Sequence, residues 1–424
     1  MLAASAEVCK EVPDVRTLPA LVSLLLVLAC PAPAEDWPAY LHDNARGGIS
    51  REALPMPLAP VWTHVPRHAP EPAWPAPAKQ DIWHEIRELS PVVVYDRAYH
   101  AVSAGDAVYF ASSADDQVYC LDAATGEVRW SFFAEGPVRL APVVDGNRLY
   151  FSADDGFAYC LNAADGKLVW RHSPVNPDRR LPGNGRIISH APARTGVLVE
   201  KGTVIYFAGL FAPDNVWRCA LDAATGKPLL SAGQTSVSPQ GYLLAATNRV
   251  FVPTGRTAPF MFDRDTLEPK GALPGPGGAY AVLADDAVVS GPGRSSGNQL
   301  DYADPATGEA VATFPGIRML VDGNIAYLQS KEEVSALDRG RYLEVSRQLN
   351  ARNAELRELV KQQKALPKSD TAGQESLAAG IAGLEGTVAG LQKDLEACYL
   401  WRKPMANPYS MIMAGDTLFL GGED

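Results

Sequence analysis

The sequence predicts an all-β fold made of repeated units, and three observations support this. Residues 109–130 read YFASSADDQVYCLDAATGEVRW, and residues 150–170 repeat the pattern as YFSADDGFAYCLNAADGKLVW. Each copy alternates apolar and polar residues, as strands with a buried face do. The 36 glycines and 34 prolines suit short strands joined by turns. A period of about 40 residues with several strands per unit is typical of a β-propeller.

Weaker copies extend the repeat along the chain. Further apolar runs open copies at residues 204–207 (VIYF), 249–252 (RVFV), 287–290 (AVVS), 325–328 (IAYL) and 417–420 (TLFL). We therefore expect about seven four-stranded blades over residues 99–339 and 399–424. The final copy, TLFLGGED, holds only the start of a blade. It predicts an incomplete last blade, and because an open ring exposes strand edges we expect a fragment of a longer chain.

The turn before the last strand of each unit has a recurring chemistry. An aspartate or asparagine at its start can accept hydrogen bonds from the turn amides, and a glycine four residues later can take a positive φ. A tryptophan four residues after the glycine is placed to pack between blades. These structural positions are Asp122, Gly126 and Trp130, then Asn162, Gly166 and Trp170, then Asp222 and Gly226.

The stretches LDAATGEVRW and LNAADGKLVW resemble the repeat of the pyrroloquinoline-quinone-type (PQQ-like) propellers. The resemblance covers residues 99–338 and 401–424. That family includes calcium- and quinone-dependent dehydrogenases, and also non-catalytic scaffolds such as the propeller lipoprotein of bacterial outer-membrane assembly. Residues 36–50, DWPAYLHDNARGGIS, resemble the N-terminal segment of secreted bacterial members whose roles are unknown.

The first 34 residues are predicted to be a signal peptide. Lys10 and Arg16 precede an apolar run over residues 18–30 that is too short to span a bilayer comfortably. The sequence APA at residues 32–34 then offers a cleavage site. The alternative is lipid attachment at Cys30. We expect an exported protein, periplasmic or secreted, with no transmembrane segment, and an N-terminal segment over residues 35–98.

Residues 340–398 interrupt the repeat. Leucine, isoleucine and valine recur in alternating steps of four and three from residue 377 to residue 395, which is the spacing of a helical seam. The sequence LPKSDT at residues 366–371 lies just before this seam and separates it from an upstream helix. This pattern predicts an inserted antiparallel helical hairpin or coiled coil. Its role is either a docking arm for a partner or a self-contained decoration.

Residues 59–64, APVWTH, are a candidate strand for closing the ring. Strands that line the central channel should precede the apolar runs of each copy. The polar residues expected there are Arg139, Arg186, His190, Arg194, Gln240 and Arg318. Several arginines converging in an acidic protein would suit a small anionic ligand such as a carboxylate. The alternative is that they pair with carboxylates of neighbouring blades and bind no ligand.

No strong catalytic or metal-binding motif is present. The quinone enzymes resembled here often use adjacent cysteines beside the cofactor, and no two cysteines are adjacent in this chain. His64 and His68 are four apart, but Pro66 prevents the helix that would bring them to one face. The net charge of −11 argues against nucleic acid as a partner.

These observations favour a non-catalytic binding or scaffold module without a cofactor. It would bind a protein partner through a propeller face or the hairpin, or a small anionic ligand. One alternative is an oxidoreductase that uses PQQ and calcium in the central channel. Another is the propeller part of a larger multidomain enzyme, such as one linked to a methyltransferase.

Overall fold

The computed structural model describes residues 34–422 except 74–94, 184, 211–214, 235–236, 256, 276, 279, 286, 293–297, 305–306 and 406–408. Within these residues six antiparallel sheets have four strands each, and a seventh has three. We call these sheets blades 1 to 7 in chain order, and in blades 1–6 the strands pair in the order in which the chain makes them. The predicted all-β propeller with an inserted helical pair is therefore confirmed.

The first three blades contain the clearest repeats. Blade 1 comprises β2 (Val102–Ala104), β3 (Ala107–Ser112), β4 (Gln117–Asp122) and β5 (Val128–Phe133). Blade 2 comprises β6 (Val143–Asp145), β7 (Arg148–Ser152), β8 (Ala158–Asn162) and β9 (Leu168–His172). Blade 3 comprises β13 (Leu198–Glu200), β14 (Thr203–Ala208), β15 (Val216–Asp222) and β16 (Pro228–Gln234).

The remaining blades follow the same plan. Blade 4 comprises β18 (Leu244–Ala245), β19 (Arg249–Val252), β20 (Phe260–Asp263) and β21 (Pro269–Ala272). Blade 5 comprises β22 (Tyr280–Ala284), β23 (Ala287–Gly291), β24 (Gln299–Asp304) and β25 (Glu309–Pro315). Blade 6 comprises β26 (Arg318–Asp322), β27 (Ile325–Gln329), β28 (Glu333–Asp338) and β29 (Tyr399–Pro404). Blade 7 comprises β1 (Ile49–Ser50), β30 (Ser410–Ala414) and β31 (Thr417–Gly421).

Two short pairs lie outside the blades. A hairpin joins β10 (Arg180–Gly183) to β11 (Arg186–Ser189), and β12 (Thr195–Gly196) pairs in parallel with β17 (Gly241–Tyr242). Both pairs come from the connections around blade 3. They place these connections next to the first strands of the blades.

The core lies between consecutive blades. One apolar cluster joins blades 1 and 2, and five more join each later pair up to blades 6 and 7. Each of blades 2 to 6 therefore buries both faces, which explains why four of the five residues of β7 are buried. Because a single blade cannot cover its own faces, the repeats stabilise one another.

The recurring turn links each blade to the next. The Trp130 indole N–H donates a hydrogen bond to the Ala163 carbonyl of blade 2 at 3.1 Å. Gly166 takes a φ of +69°, and a Cβ at this position would lie 2.7 Å from the Trp130 ring. Trp170 repeats the contact on blade 3. Glycine is required here by backbone conformation and by the close approach of the tryptophan.

Residues 59–64 do not form a β-strand in the structure. However, the Trp62 indole N–H donates to the Ala123 carbonyl at 2.9 Å, and a Cβ on Gly126 would lie 2.6 Å from the Trp62 ring. Trp62 thus contacts the turn of blade 1 as Trp130 contacts that of blade 2. The segment occupies the place of an outermost strand preceding blade 1.

The helical pair is inserted between the third and fourth strands of blade 6. Helix α1 (Arg339–Ala365) begins at the cap Asp338, and α2 (Thr371–Glu396) begins at the cap Asp370. Tyr342 and Leu343 are buried against blades 5 and 6, whereas α2 has no buried residue. The predicted seam of α2 is half-buried towards α1, at Leu377, Ile381, Leu384, Val388, Leu391 and Leu395.

Candidate functional site in the central channel

Residues 36–51, which we call the axial segment, run past the first strands of all seven blades. Its contacts with blades 1 to 4 are Trp37 with Ser103, Pro38 O with Val144 N, Asn44 Nδ2 with Val199 O and Asn44 O with Ala245 N. Its contacts with blades 5 to 7 are Ala45 O with Leu283 N, Arg51 with Asp322, and β1 with β30. The first strands therefore surround this segment and are the innermost strands of the ring.

The axial segment covers one end of the central channel. Its partners lie in the last residues of the innermost strands, just before each chain turns into the second strand. Arg46, only 1% exposed, anchors the segment through its Nε, which donates to the Leu243 carbonyl at 3.0 Å. Tyr40 stacks on Tyr242 with ring centroids 3.6 Å apart. The end of the channel with the first-to-second strand turns is filled by protein.

We predict that docking of the axial segment depends on pH through His42. The carboxylates of Asp43 and Glu35 lie 3.9 Å and 3.3 Å from its ring nitrogens and raise the pKa of His42. A raised pKa stabilises the folded state below about pH 6.5, and this contribution is lost as the pH rises through the folded value. Protection of the axial amides from hydrogen exchange should fall between pH 6 and 8, with an effect below about 1 kcal/mol.

The control for this prediction is His42→Gln, which cannot gain a charge. Its axial amides should show the same protection at pH 6 and pH 8 after correction for intrinsic exchange. A wild-type pH dependence that persists unchanged in His42→Gln would contradict the assignment.

A buried ion network lies near the second-to-third strand turns of blades 1 and 2. Asp154 accepts hydrogen bonds from Arg139 Nε at 2.6 Å and from Arg194 Nε and Nη2 at 2.8 and 2.9 Å. All three side chains are at most 3% exposed. Arg139 also contacts Asp96, whose carboxylate accepts from the Ala73 amide. The structure thus joins residues far apart in the chain into one site.

The charges of this network are partly compensated within it. Burial opposes ionisation of Asp154, but the guanidinium groups of Arg194 and Arg139 outweigh it and lower its pKa. Ionisation of Asp96 is less favoured, because burial raises the pKa of its carboxyl despite the nearby Arg139. One ionised carboxylate between two arginines is a structural clamp across blade 2 and its two neighbouring connections.

The structure does not bring the six polar residues predicted for the channel together in one site. Arg139 and Arg194 meet on Asp154, and the buried Gln240 accepts a hydrogen bond from Tyr95 at 3.3 Å. Arg318 opens the innermost strand of blade 6, and its charge acts on Tyr40 and His100.

Arg186 and His190 come from the connection before blade 3. Arg186 shares Glu71 with Arg139, whose Nη1 donates to the Glu71 carbonyl at 2.7 Å. Arg186 is in the β10–β11 hairpin and bonds to Glu71 at 3.2 Å. The His190 ring contacts the Arg179 carbonyl at 3.0 Å. Binding of an anionic ligand by these six residues stays a prediction.

His64 and His68 share a cleft that the sequence pattern did not reveal. They line a cleft of about 410 Å³ together with Phe110, Asp115 and Tyr119 of blade 1. The His64 ring lies 5.4 Å from the Phe110 ring. Pro66 excludes a helix, as expected, but an irregular segment lying along the blade brings the two side chains to the same place.

The fold is a β-propeller, and its repeats resemble those of the PQQ-like class. The family model described as outer membrane protein assembly factor BamB matches residues 76–236, which confirms the resemblance over less than half of the chain. A search of curated protein sequences finds no match.

Solved structures with a similar arrangement include BamB from Moraxella catarrhalis. It is 18% identical, and the match covers 54% of this chain and 68% of that one with a TM-score of 0.43. Quinohemoprotein alcohol dehydrogenase from Comamonas testosteroni is 15% identical, with 73% of this chain and 60% of that one covered and a TM-score of 0.48. This chain therefore spans less than two thirds of the Comamonas enzyme.

The PQQ and calcium that the resemblance implies do not fit the residues found here. Tyr40 and Tyr242 already stack on each other beside the axis. The buried carboxylate of Asp154 is held by two arginines, so its oxygens are directed to guanidinium groups rather than to a cation. Within the described residues, no three His, Cys, Asp or Glu side chains form a group that could hold a metal ion. No reaction step is assigned to a quinone.

Across the described ranges, no helix is both long and apolar enough to cross a membrane. The predicted signal peptide and the alternative lipid site at Cys30 lie outside the described residues.

Proposed function

We propose that this chain is an exported, non-catalytic propeller scaffold that binds protein partners. One observation carries the proposal: Arg139 and Arg194, the buried cations expected to attract a channel ligand, already donate hydrogen bonds to Asp154 within the protein. The axial segment supports it further, because its backbone and side chains fill one end of the channel. The surfaces left for binding include the outer faces of the blades, the opposite end of the channel and the helical pair.

The helical pair is the partner-binding element that we favour. Helices of 27 and 26 residues extend about 40 Å at 1.5 Å per residue. Asn350 still contacts the Val311 carbonyl of blade 5, but among the described residues no hydrogen bond joins residues 351–394 to the blades. The exposed face of α2 is rich in alanine and glycine. A long arm that is anchored at its base and exposes small side chains suits docking of a second protein.

The test is a titration of the folded protein with PQQ and calcium, followed by tryptophan fluorescence and by dye reduction with primary alcohols and sugars. We expect no saturable quenching and no turnover, because the arginines are paired and the tyrosine stack fills space beside the axis. Micromolar quenching that is lost in Arg318→Ala would overturn the scaffold proposal.

The matched control is Arg129→Ala. Arg129 is also an arginine in an ion pair, but it lies on the outer strand of blade 1 with Asp106 and Asp122. Quenching lost equally in both variants would indicate non-specific charge binding, and it would leave the channel without a specific quinone site, as the scaffold proposal requires.

A further inference from the structure

The cleft that holds His64 and His68 is a candidate small-molecule site outside the channel. It has a volume of about 410 Å³, and its lining residues lie in residues 64–68, in β3, β4 and β5, and in the turn between β3 and β4. The innermost strand of blade 1 contributes no lining residue, so the cleft is separate from the channel. Its volume lies within the range of small-molecule sites, roughly 300–1,000 Å³.

Blade 2 shows how the equivalent space is filled in a neighbouring blade. Ser131 lies opposite Tyr119 in the sheet of blade 1, and both residues line the cleft. At the equivalent position of blade 2, Arg171 lies opposite Tyr159. The Arg171 guanidinium donates to Glu135 at 3.0 Å. Because the serine side chain ends at its hydroxyl, blade 1 leaves this space without a side chain.

The third strand of blade 1 opens the cleft further. In blade 2 the ring of Phe157 lies two residues before Tyr159, is 7% exposed and has the Arg171 guanidinium 4.5 Å from its centre. Gln117 takes the same place in blade 1 and lines the cleft. The cleft therefore results from two side chains of blade 1 that differ from their counterparts in blade 2.

The charge beside the cleft is reversed relative to blade 2. Glu135 follows Trp130 by five residues, and Arg67 follows Trp62 by the same number. The two tryptophans make the same turn contact, so the two charged residues are equivalent. Within the part of the chain that the structure describes, Arg67 makes no ion pair and no hydrogen bond. A molecule that takes the place of Arg171 here should therefore carry a negative charge.

The remaining polar groups favour a ligand with hydroxyl groups. Four lining side chains make no hydrogen bond to any described residue, and they are those of His64, His68, Gln117 and Ser131. Asp115 accepts a hydrogen bond from the Tyr119 hydroxyl, and its carboxylate disfavours a ligand that offers only a carboxylate. A sugar hydroxyl can donate to Asp115, while the apolar C–H face of a sugar ring can cover the rings of Phe110 and Tyr119.

We propose that this cleft binds an acidic sugar, a pyranose ring that carries a carboxylate. Arg67 pairs with the carboxylate, and Gln117 and Ser131 bind ring hydroxyls. The site lies outside both the channel and the helical pair, so it does not depend on the scaffold proposal.

The experiment titrates the protein with methyl β-D-glucuronide and follows binding by isothermal titration calorimetry. We expect saturable binding, and at least 10-fold weaker binding of methyl β-D-glucoside, which lacks the carboxylate. Benzoate, which has the carboxylate on a ring without hydroxyls, should also bind at least 10-fold more weakly. Absence of saturable glucuronide binding to the folded protein, or equal affinity for benzoate, would overturn the proposal.

Two variants locate the binding site. Arg67→Gln should weaken glucuronide binding at least 10-fold and leave glucoside binding unchanged, because only the carboxylate loses its partner. Gln117→Phe introduces the residue of blade 2 and should weaken binding of both sugars, provided that circular dichroism shows the variant to be folded. The control is Arg357→Gln, which changes an exposed arginine of α1 and should have no effect. Unchanged glucuronide binding in Arg67→Gln, or an equal loss in Arg357→Gln, would count against the cleft.

Discussion

Replacing Asp154 by asparagine is expected to lower the free energy of unfolding by about 3–5 kcal/mol, because two buried arginines lose the carboxylate that joins them. Arg139 and Arg194 are at most 3% exposed and cannot turn to water without opening blade 2. Denaturant unfolding at pH 7 measures the change. Asp165→Asn is the control, since Asp165 pairs with an exposed lysine on the same blade and should have no measurable effect.

The pH dependence of the same variant gives a second check. A carboxylate whose folded pKa is lowered contributes stability above its unfolded value of about 3.9, and this contribution is lost as the pH falls through the folded value. Wild type and Asp154→Asn should therefore differ most near neutral pH and converge below about pH 4. A difference that is constant down to pH 3 would show that the lost packing, and not the charge, sets the cost.

The repeat could be predicted from the sequence because its determinants are local. The turn aspartate, the glycine and the tryptophan recur at fixed spacing, and each acts on a turn either in its own blade or in the next. The structure shows why: the Asp122 carboxylate accepts from the amides of Ala124 and Thr125. Short-range spacing is sufficient to specify such contacts.

The ion network could not be predicted, because its members are distant in the chain. Asp154 lies in the turn between the second and third strands of blade 2, and its pairing with Arg194 appears only when the connection before blade 3 folds back over blade 2. The sequence predicts that Arg139 and Arg194 line the channel, and it leaves two alternatives for them, binding of an anionic ligand or pairing with carboxylates. The choice between ligand and carboxylate depends on three-dimensional distance, which periodicity does not contain.

In the sequence, only the resemblance of residues 36–50 to secreted family members marks the axial segment. Its residues show no alternation because they make contacts with seven blades, one after another, rather than with one sheet. The signal that could have identified the segment is Arg46, an arginine between residues that favour turns. Its burial is seen only in the structure. That arginine also provides the sharpest test of the segment's role.

Replacing Arg46 by methionine is expected to detach the axial segment from the channel. The guanidinium donates to the carbonyls of Leu243, Tyr40 and Asp43 at 3.0 to 3.1 Å, and burial lowers its pKa to about 10. Methionine fills similar space but leaves the Leu243 and Tyr40 carbonyls without the guanidinium donor, at about 1–3 kcal/mol for each that stays buried. The Asp43 carbonyl keeps the backbone N–H of residue 46 at 3.2 Å. Undocking avoids that cost by returning the carbonyls to water.

Hydrogen exchange can separate undocking from general unfolding. The amides of Ala245 and Leu283 donate to the axial segment and should exchange at least 10-fold faster in Arg46→Met, while amides between the second and third strands of blade 3 keep their protection. The control is Arg51→Met, because Arg51 lies in the same segment but its side chain is 73% exposed. Faster exchange in both variants would show that the segment is held by its charges at the rim, whereas a change confined to Arg46→Met places the anchor in the channel.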